Sequence, residues 1–242
     1  MILYRGKSRI DGKPIVAIAT IGSNNPKTGP MVQTWIERSD ISPVKAVQTG
    51  GDKSICGGCK HRHNLKGACY VKPFQAPLAV YKRFKRRGYQ AKKNVAMVTK
   101  ALAESPIRFG AYGDPCAVPA KVWRKLIAQG CGTWTGYTHQ WKLKRNQGYR
   151  GFLMASCDSL LEAQQASAMG WRVFLVVTDV AESYVKLPEV GAVVECPSIR
   201  NVTCADCGAC DGTKDGAKQS AASIMIPVHG ALAKRFSLNV VR

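Results

Sequence analysis

The sequence predicts an α/β fold whose mainly parallel strands form an open sheet or a partial or full (βα) barrel. Three observations predict it. Short apolar runs alternate with amphipathic helical stretches, the rhythm of βαβ units. The runs are nearly continuous in apolar character, as strands buried on both faces are. Most of them also finish in a polar or reactive residue, and functional groups gather at the carboxyl ends of strands in barrels and open α/β sheets.

Strands are predicted, in order, at 15–20 (IVAIAT), 95–99 (VAMVT), 107–112 (IRFGAY), 133–138 (TWTGYT), 152–156 (FLMAS), 172–178 (RVFLVVT), 192–195 (AVVE) and 224–228 (IMIPV). Helices fall between several of them. In 73–88, Phe74, Leu78, Tyr81 and Phe84 share an apolar side, while Lys82, Arg83, Lys85, Arg86 and Arg87 stay in water. In 118–129, Val118, Val122 and Leu126 recur every four residues, with Pro119 suited to the first turn. SLLE at 159–162 has capping-box spacing for a helix over 160–169, ended by Gly170.

The N-terminal third reads differently. Residues 20–35 and 39–53 are rich in Gly, Pro, Ser and Asn and predict long loops around a short element. The 242 residues suit one domain, with an N-terminal strand and cysteine loop over 1–72. The βα units and a C-terminal cysteine loop then occupy 73–242.

Six strand ends carry reactive groups: Asp114, His139, Cys157 with Asp158, Asp179, Cys196 and His229. A turn or cap is the ordinary use of any one of them. Six in succession predict a site on one rim, with Asp114, His139, Asp158 and His229 as the candidate catalytic residues.

Ten cysteines are present. No segment has the length of an apolar membrane span, and the first residues lack a signal-peptide pattern, so a cytoplasmic location is expected. Clustered cysteines in a reducing compartment bind metal more often than they form disulfides. In the first group Cys56 and Cys59 form a CxxC and Cys69 follows, with His61 and His63 nearby and Gly50, Gly51, Gly57 and Gly58 around them. These three thiols with a histidine suit zinc. Without the histidine they suit a [4Fe–4S] cluster with one iron left open.

The second group is Cys196, Cys204, Cys207 and Cys210, spaced CX7CX2CX2C. Three thiols at two-residue intervals with a remote fourth match a cubane-binding run better than two zinc-binding CxxC pairs. Zinc is the alternative, ahead of a disulfide. Cys116, Cys131 and Cys157 stand alone, as small core residues usually do, although Cys116 and Cys157 also lie near strand ends.

Set beside the strand rhythm, GGDKSICGGCKHRHNLKGACY (50–70) resembles the cluster loop of radical S-adenosylmethionine enzymes. That resemblance implies a partial (βα) barrel, a cubane on a three-cysteine loop after the first strand, S-adenosylmethionine as cofactor and a C-terminal auxiliary cluster. The usual spacing there is CX3CX2C against CX2CX9C here, so Cys56, Cys59 and Cys69 carry over as candidate ligands. The chain is also similar to uncharacterised phage-encoded cysteine-rich proteins through NPKTGPMVQTW, the Cys56–Cys69 loop, YGDPCAVP and TCADCGAC. That likeness implies a metal-dependent barrel in the cytoplasm of an infected host.

Lys and Arg total 36 against 15 acidic residues, a net charge of +21. Such a surplus points to a polyanion, most often nucleic acid, with a merely solubilising excess of lysine as the plain alternative. Residues 81–93 and 139–150 interleave Tyr81, Phe84, Tyr89, Trp141 and Tyr149 with Lys and Arg, a combination that meets phosphates and stacks on bases. The second stretch, being loop-like, is the better contact candidate. P-loop, dinucleotide, G-x-S-x-G and H-E-x-x-H patterns are absent. Two functions follow. One is an iron–sulfur enzyme of one or two clusters acting on a nucleic acid or other anionic substrate. The other is a non-catalytic nucleic-acid-binding protein held together by zinc or a cluster.

Overall fold

A computed structural model describes residues 1–22, 25–130, 132–178, 186–187, 189–213, 222–230 and 232–236. Asp179 and Cys131 lie outside them. Among the described residues the strands are β1 (Ile2–Lys7), β2 (Pro14–Thr20), β3 (Val32–Arg38), β4 (Ile107–Tyr112), β5 (Trp134–Thr138), β6 (Met154–Cys157), β7 (Val173–Val177), β8 (Lys186–Leu187), β9 (Gly191–Glu195) and β10 (Ser223–Pro227). The helices are α1 (Pro43–Gln48), α2 (Lys53–Cys56), α3 (Ala76–Lys85), α4 (Lys92–Glu104), α5 (Ala120–Gln129), α6 (Leu160–Ala168) and α7 (Cys204–Cys207).

All ten strands join one sheet in the order β1-β2-β3-β4-β5-β6-β7-β10-β9-β8. From β3 to β9 every neighbouring pair is parallel, while β1–β2, β2–β3 and β8–β9 are antiparallel. No ladder joins β1 to β8 among the described residues, so hydrogen bonds do not close the sheet. The predicted α/β class with mainly parallel strands is therefore the one observed. The sheet spans both sequence regions, because β3 from residues 1–72 pairs with β4.

The predicted strand at 95–99 is instead part of α4. A five-residue apolar run has no period long enough to separate strand from helix. The parallel step from β3 to β4 requires a long crossover, which a helix supplies. There Val98 and Leu102, four residues apart, are buried. Three strands were hidden in the sequence: β1, β3 and the two-residue β8. In β3 the polar Gln33, Thr34 and Glu37 are all buried, which masks its apolar character. β1 is an edge strand whose side chains are mostly half-buried, so it carries no apolar run. Phe74 is 63% exposed, and the buried side of α3 is Pro77, Val80 and Phe84.

Period-2 alternation gives the parallel strands two working faces. Ala155 and Cys157 of β6, Val173 and Leu175 of β7 and Met225 of β10 enter the main core with Phe109 and Trp123. Ser156, Phe174, Val176 and Ile226 point the other way, into a cavity of ≈ 530 Å³. β2 is buried on both sides: Ile15, Ala17 and Ala19 in the main core, and Val16 and Ile18 under Val80, Phe84 and Tyr89. This explains its unbroken apolar run. Between Gln33 and Trp35 the β3–β4 register shifts, and Thr34 bridges the gap. Its hydroxyl donates to the Arg108 carbonyl (3.2 Å) and accepts from Gly110 N–H (2.9 Å). Gly110 has φ +68°, which a glycine adopts without strain.

Glu37 is fully buried and neither carboxyl oxygen has a hydrogen-bond partner. Burial pushes its pKa well above the ordinary carboxyl value. The folded chain thus holds a proton that the unfolded chain releases, so this group's contribution is full below the ordinary carboxyl range and is lost as pH rises through the folded value. Glu37→Gln should raise the urea midpoint at about pH 8 and change it far less at about pH 5. Urea unfolding of both proteins at the two pH values checks this.

Candidate metal-binding cavity

The ≈ 530 Å³ cavity lies at the carboxyl ends of the parallel strands and collects side chains far apart in sequence. Cys56, Cys59 and Cys69 border it from the N-terminal loop, and Cys196 and Cys204 from the C-terminal loop. Asp114, His139, Asp158 and His229, each from a strand end, line it as well. His61 joins them. The four predicted catalytic residues and both cysteine groups thus meet at one opening.

The first cysteine loop is fixed from beneath. Asp114 N–H donates to the Ile55 carbonyl at 2.6 Å, tying the end of β4 to α2. Gln140 clamps the CxxC turn: its Oε1 accepts from Gly58 N–H and its Nε2 donates to the Cys56 carbonyl, each at 3.2 Å. Gly57 sits above that amide with φ 59° and ψ −131°, a backbone region open essentially to glycine alone. A Cβ there would collide with the Gln140 amide. Burial first, then neighbouring Cys59 and Cys69, push the Cys56 thiol well above its ordinary pKa, and burial pushes Cys69 up to about 11. With their pKa values raised in this way, Cys56 and Cys69 are stable as thiolates only beside a cation.

The second group surrounds its own small cavity of ≈ 20 Å³, lined by all four of Cys196, Cys204, Cys207 and Cys210 with Pro197, Val202, Tyr137 and Ile224. Thr203 caps α7 through a hydrogen bond from Asp206 N–H. The glycine- and proline-rich loop predicted at 20–35 has a use here. Cys204 and Ala205 N–H donate to the carbonyls of Lys27 and Thr28, both at 3.0 Å. Behind the loop, Arg172 is buried and donates to Asp211 Oδ1 (2.8 Å) and to the carbonyls of Gly212 (2.7 Å), Ala209 (2.8 Å) and Ala222 (2.7 Å). Burial raises the Cys210 thiol to about 12 and also raises Cys204. Tyr137 and Thr135 stand between this pocket and the large cavity, lining both.

The polar residues divide by role. Asp114 is buried and accepts from Cys116 N–H (2.9 Å), Thr138 Oγ1 (2.8 Å) and His139 N–H (2.9 Å). Its carboxylate is committed to positioning His139. Burial alone would lower the His139 pKa, but Cys59 and Asp158 push it well above the ordinary imidazole value. Burial alone would raise Asp158, yet the imidazoles of His139 and His61 hold it below the carboxylate range. His61 Nε2 stands 3.0 Å from Asp158 Oδ2, and His139 Nε2 stands 3.7 Å from Oδ1. Glu162 accepts from Asp158 N–H at 2.9 Å and pairs with Lys60 and Lys142, which anchors the end of β6. His229 is set apart: its ring stacks on Tyr70 at 6.2 Å and its Nδ1 lies 3.2 Å from its own Pro227 carbonyl. His63 is turned to the Val71 carbonyl at 2.6 Å.

On the cavity wall Arg108 donates to the Tyr70 hydroxyl at 2.7 Å, and Lys27 adds a second cation. The sequence offered no reason to single out Arg108, since a lone arginine in a strand carries no motif. Cys116 and Cys157 are buried in the main core, away from the cavity. The base-stacking expectation is corrected. Trp141 and Tyr149 are buried and donate to the Ser156 (3.0 Å) and Val118 (2.6 Å) carbonyls, and Phe84 and Tyr89 are buried against Val16 and Ile18 of β2, while Tyr81 is half-buried. No helix among the described residues is long and apolar enough to cross a membrane. Comparison with protein-family models, curated proteins and solved structures returns no match.

Gly57→Ala should cost roughly 1–3 kcal/mol through strain and collision with Gln140. Any metal that the first cysteine group holds should fall in this variant, and any at the second should be unchanged. Thermal unfolding and elemental analysis of the purified variant check this.

Proposed function

We propose that this chain is an iron–sulfur protein whose cavity binds an anionic substrate between two cysteine-held centres. Cys56, Cys59 and Cys69 would hold one centre, and Cys196, Cys204, Cys207 and Cys210 the other. The observation that carries the reading is that both groups, distant in sequence, border one cavity at the strand ends. The donor set favours cubanes over zinc. Four sulfurs at tetrahedral zinc stand about 3.8 Å apart. Yet among the described residues neither cysteine group brings three sulfurs within 4.8 Å of one another. Four thiols around a small, largely apolar pocket suit a larger inorganic core.

A centre on three thiolates supplies one-electron chemistry and leaves a metal position free for a small-molecule cofactor, for which the resemblance suggests S-adenosylmethionine. The chain's own residues do the rest. Arg108 and Lys27 would hold the substrate's negative group, with Tyr70 fixing the guanidinium. Phe174, Val176, Ile226 and Val228 would pack its apolar part and exclude water. His139 is held at the reaction end by Asp114, beside Cys59. We also read the sheet as a partial barrel. Side chains of β4, β5, β6, β7 and β10 converge on one cavity, which a flat sheet does not allow.

A second reading, nucleic-acid binding on the outer surface, is supported by the exposed Lys82, Arg83, Lys85, Arg86 and Arg87 at the end of α3. With Phe84 and Tyr89 buried and Tyr81 half-buried, contact would be mainly to phosphate.

Anaerobic purification with iron, sulfide and zinc analysis tests the proposal. Brown protein with about eight irons and matching sulfide is expected for two cubanes, and about four for one. Colourless protein with stoichiometric zinc and no sulfide overturns it and leaves the nucleic-acid reading.

A further inference from the structure

The reactive end of the cavity holds three side chains whose arrangement the cysteine centres do not explain. His61, His139 and Asp158 bring one ligand atom each to within 4.8 Å of one another, the only such His/Cys/Asp/Glu group among the described residues. They come from three separate elements: the first cysteine loop, the end of β5 and the end of β6.

An ordinary His–Asp hydrogen bond does not account for the geometry. His61 Nε2 and Asp158 Oδ2 are 3.0 Å apart, but neither ring nitrogen of His61 makes an aligned hydrogen bond. Asp158 Oδ1 and His139 Nε2, 3.7 Å apart, are likewise without a partner. Asp158 is 4% exposed, so water does not satisfy it, and leaving a buried carboxylate oxygen unmatched is costly. Atoms that crowd together without pointing at one another point instead at a shared centre. Two ligands about 2.1 Å from a metal and at right angles stand about 3.0 Å apart, and wider angles open that separation. The observed 3.0 and 3.7 Å fall in that range.

The surroundings hold the ligands in place, as second-shell groups at metal sites do. His61 stacks on buried Phe236 at 5.3 Å, and its carbonyl accepts from Cys69 N–H at 3.0 Å. Asp114 accepts from the His139 backbone, and Glu162 from that of Asp158. We infer that His61, His139 and Asp158 form a mononuclear site for a divalent first-row transition-metal ion. Two imidazoles and one carboxylate are the donor set of such sites, and the remaining coordination positions would face the cavity and its substrate. The site uses no cysteine sulfur, stands beside iron–sulfur clusters or a zinc that takes no His61, and excludes a zinc at the first cysteine group with His61 as its fourth ligand.

Cobalt(II) titration of the purified full-length protein tests the inference, followed by visible absorption. One equivalent should bind with d–d bands and without new sulfur-to-cobalt charge transfer. His61→Ala and the near-isosteric Asp158→Asn should each weaken this uptake by at least about tenfold while leaving iron, sulfide or zinc at the cysteine groups unchanged. Far-ultraviolet circular dichroism confirms that each variant is folded, and the cobalt-induced rise in Tm, lost in both variants, is a second readout. No uptake beyond the cysteine groups, uptake with thiolate charge transfer, or uptake unaffected by both substitutions overturns the inference. Failure of the iron–sulfur reading would appear separately, in the sulfide count.

Discussion

The Asp114 carboxylate is the joint on which the site depends. Asp114 sits just past β4, its carboxylate accepts from the Cys116 and His139 backbones and from the Thr138 hydroxyl, and its backbone N–H holds the Ile55 carbonyl next to the first cysteine loop. One buried residue thereby locks two strand ends and the CxxC helix to a common frame. Burial pushes its pKa up, and the three donors pull the other way. A buried carboxylate with three donors is rigid because each lost bond would leave a polar group stranded in low dielectric. His139 inherits that rigidity.

A similar logic governs the opposite side of the cavity. Arg172 spreads its guanidinium over four acceptors, one between Cys207 and Cys210 and three after Cys210. The N-terminal loop meets α7 through backbone hydrogen bonds at Lys27 and Thr28. Neither loop has a regular element large enough to bury its own core. Each is held instead by hydrogen bonds to the sheet or to the other end of the chain, which makes the cysteine cages products of the tertiary fold. That is why the cysteine groups and the α/β scaffold cannot be considered separately.

The two cysteine groups and the His61–His139–Asp158 cluster share one mouth, with Cys59 beside His139 as their point of contact. Cationic Arg108 and Lys27, the thiols and the carboxylate of Asp158 set both signs of charge around one cavity. An anionic ligand would meet the cations, and a metal ion the opposing donors. The wall of Phe174, Val176, Ile226 and Val228 keeps the space between them largely apolar.

The sequence by itself determined the α/β class, seven of the ten strands' approximate places, the helices at α3, α5 and α6, and the cysteine groups. Apolar period, capping residues and thiol spacing are local signals, and local signals survive in sequence. It placed Asp114, His139, Asp158 and His229 on one rim because strand ends share an edge in a parallel sheet. Only the tertiary structure decided what those groups do: Asp114 braces, His229 stands aside on Tyr70, and His61 arrives from a loop to complete a cluster with Asp158. It also turned VAMVT into helix, hid the polar β3 in the core and buried Trp141 and Tyr149 despite their basic surroundings. In each case the outcome rests on which partner lies across the fold, and a neighbour close in space but 97 residues away, as Asp158 is from His61, leaves no mark on the local pattern.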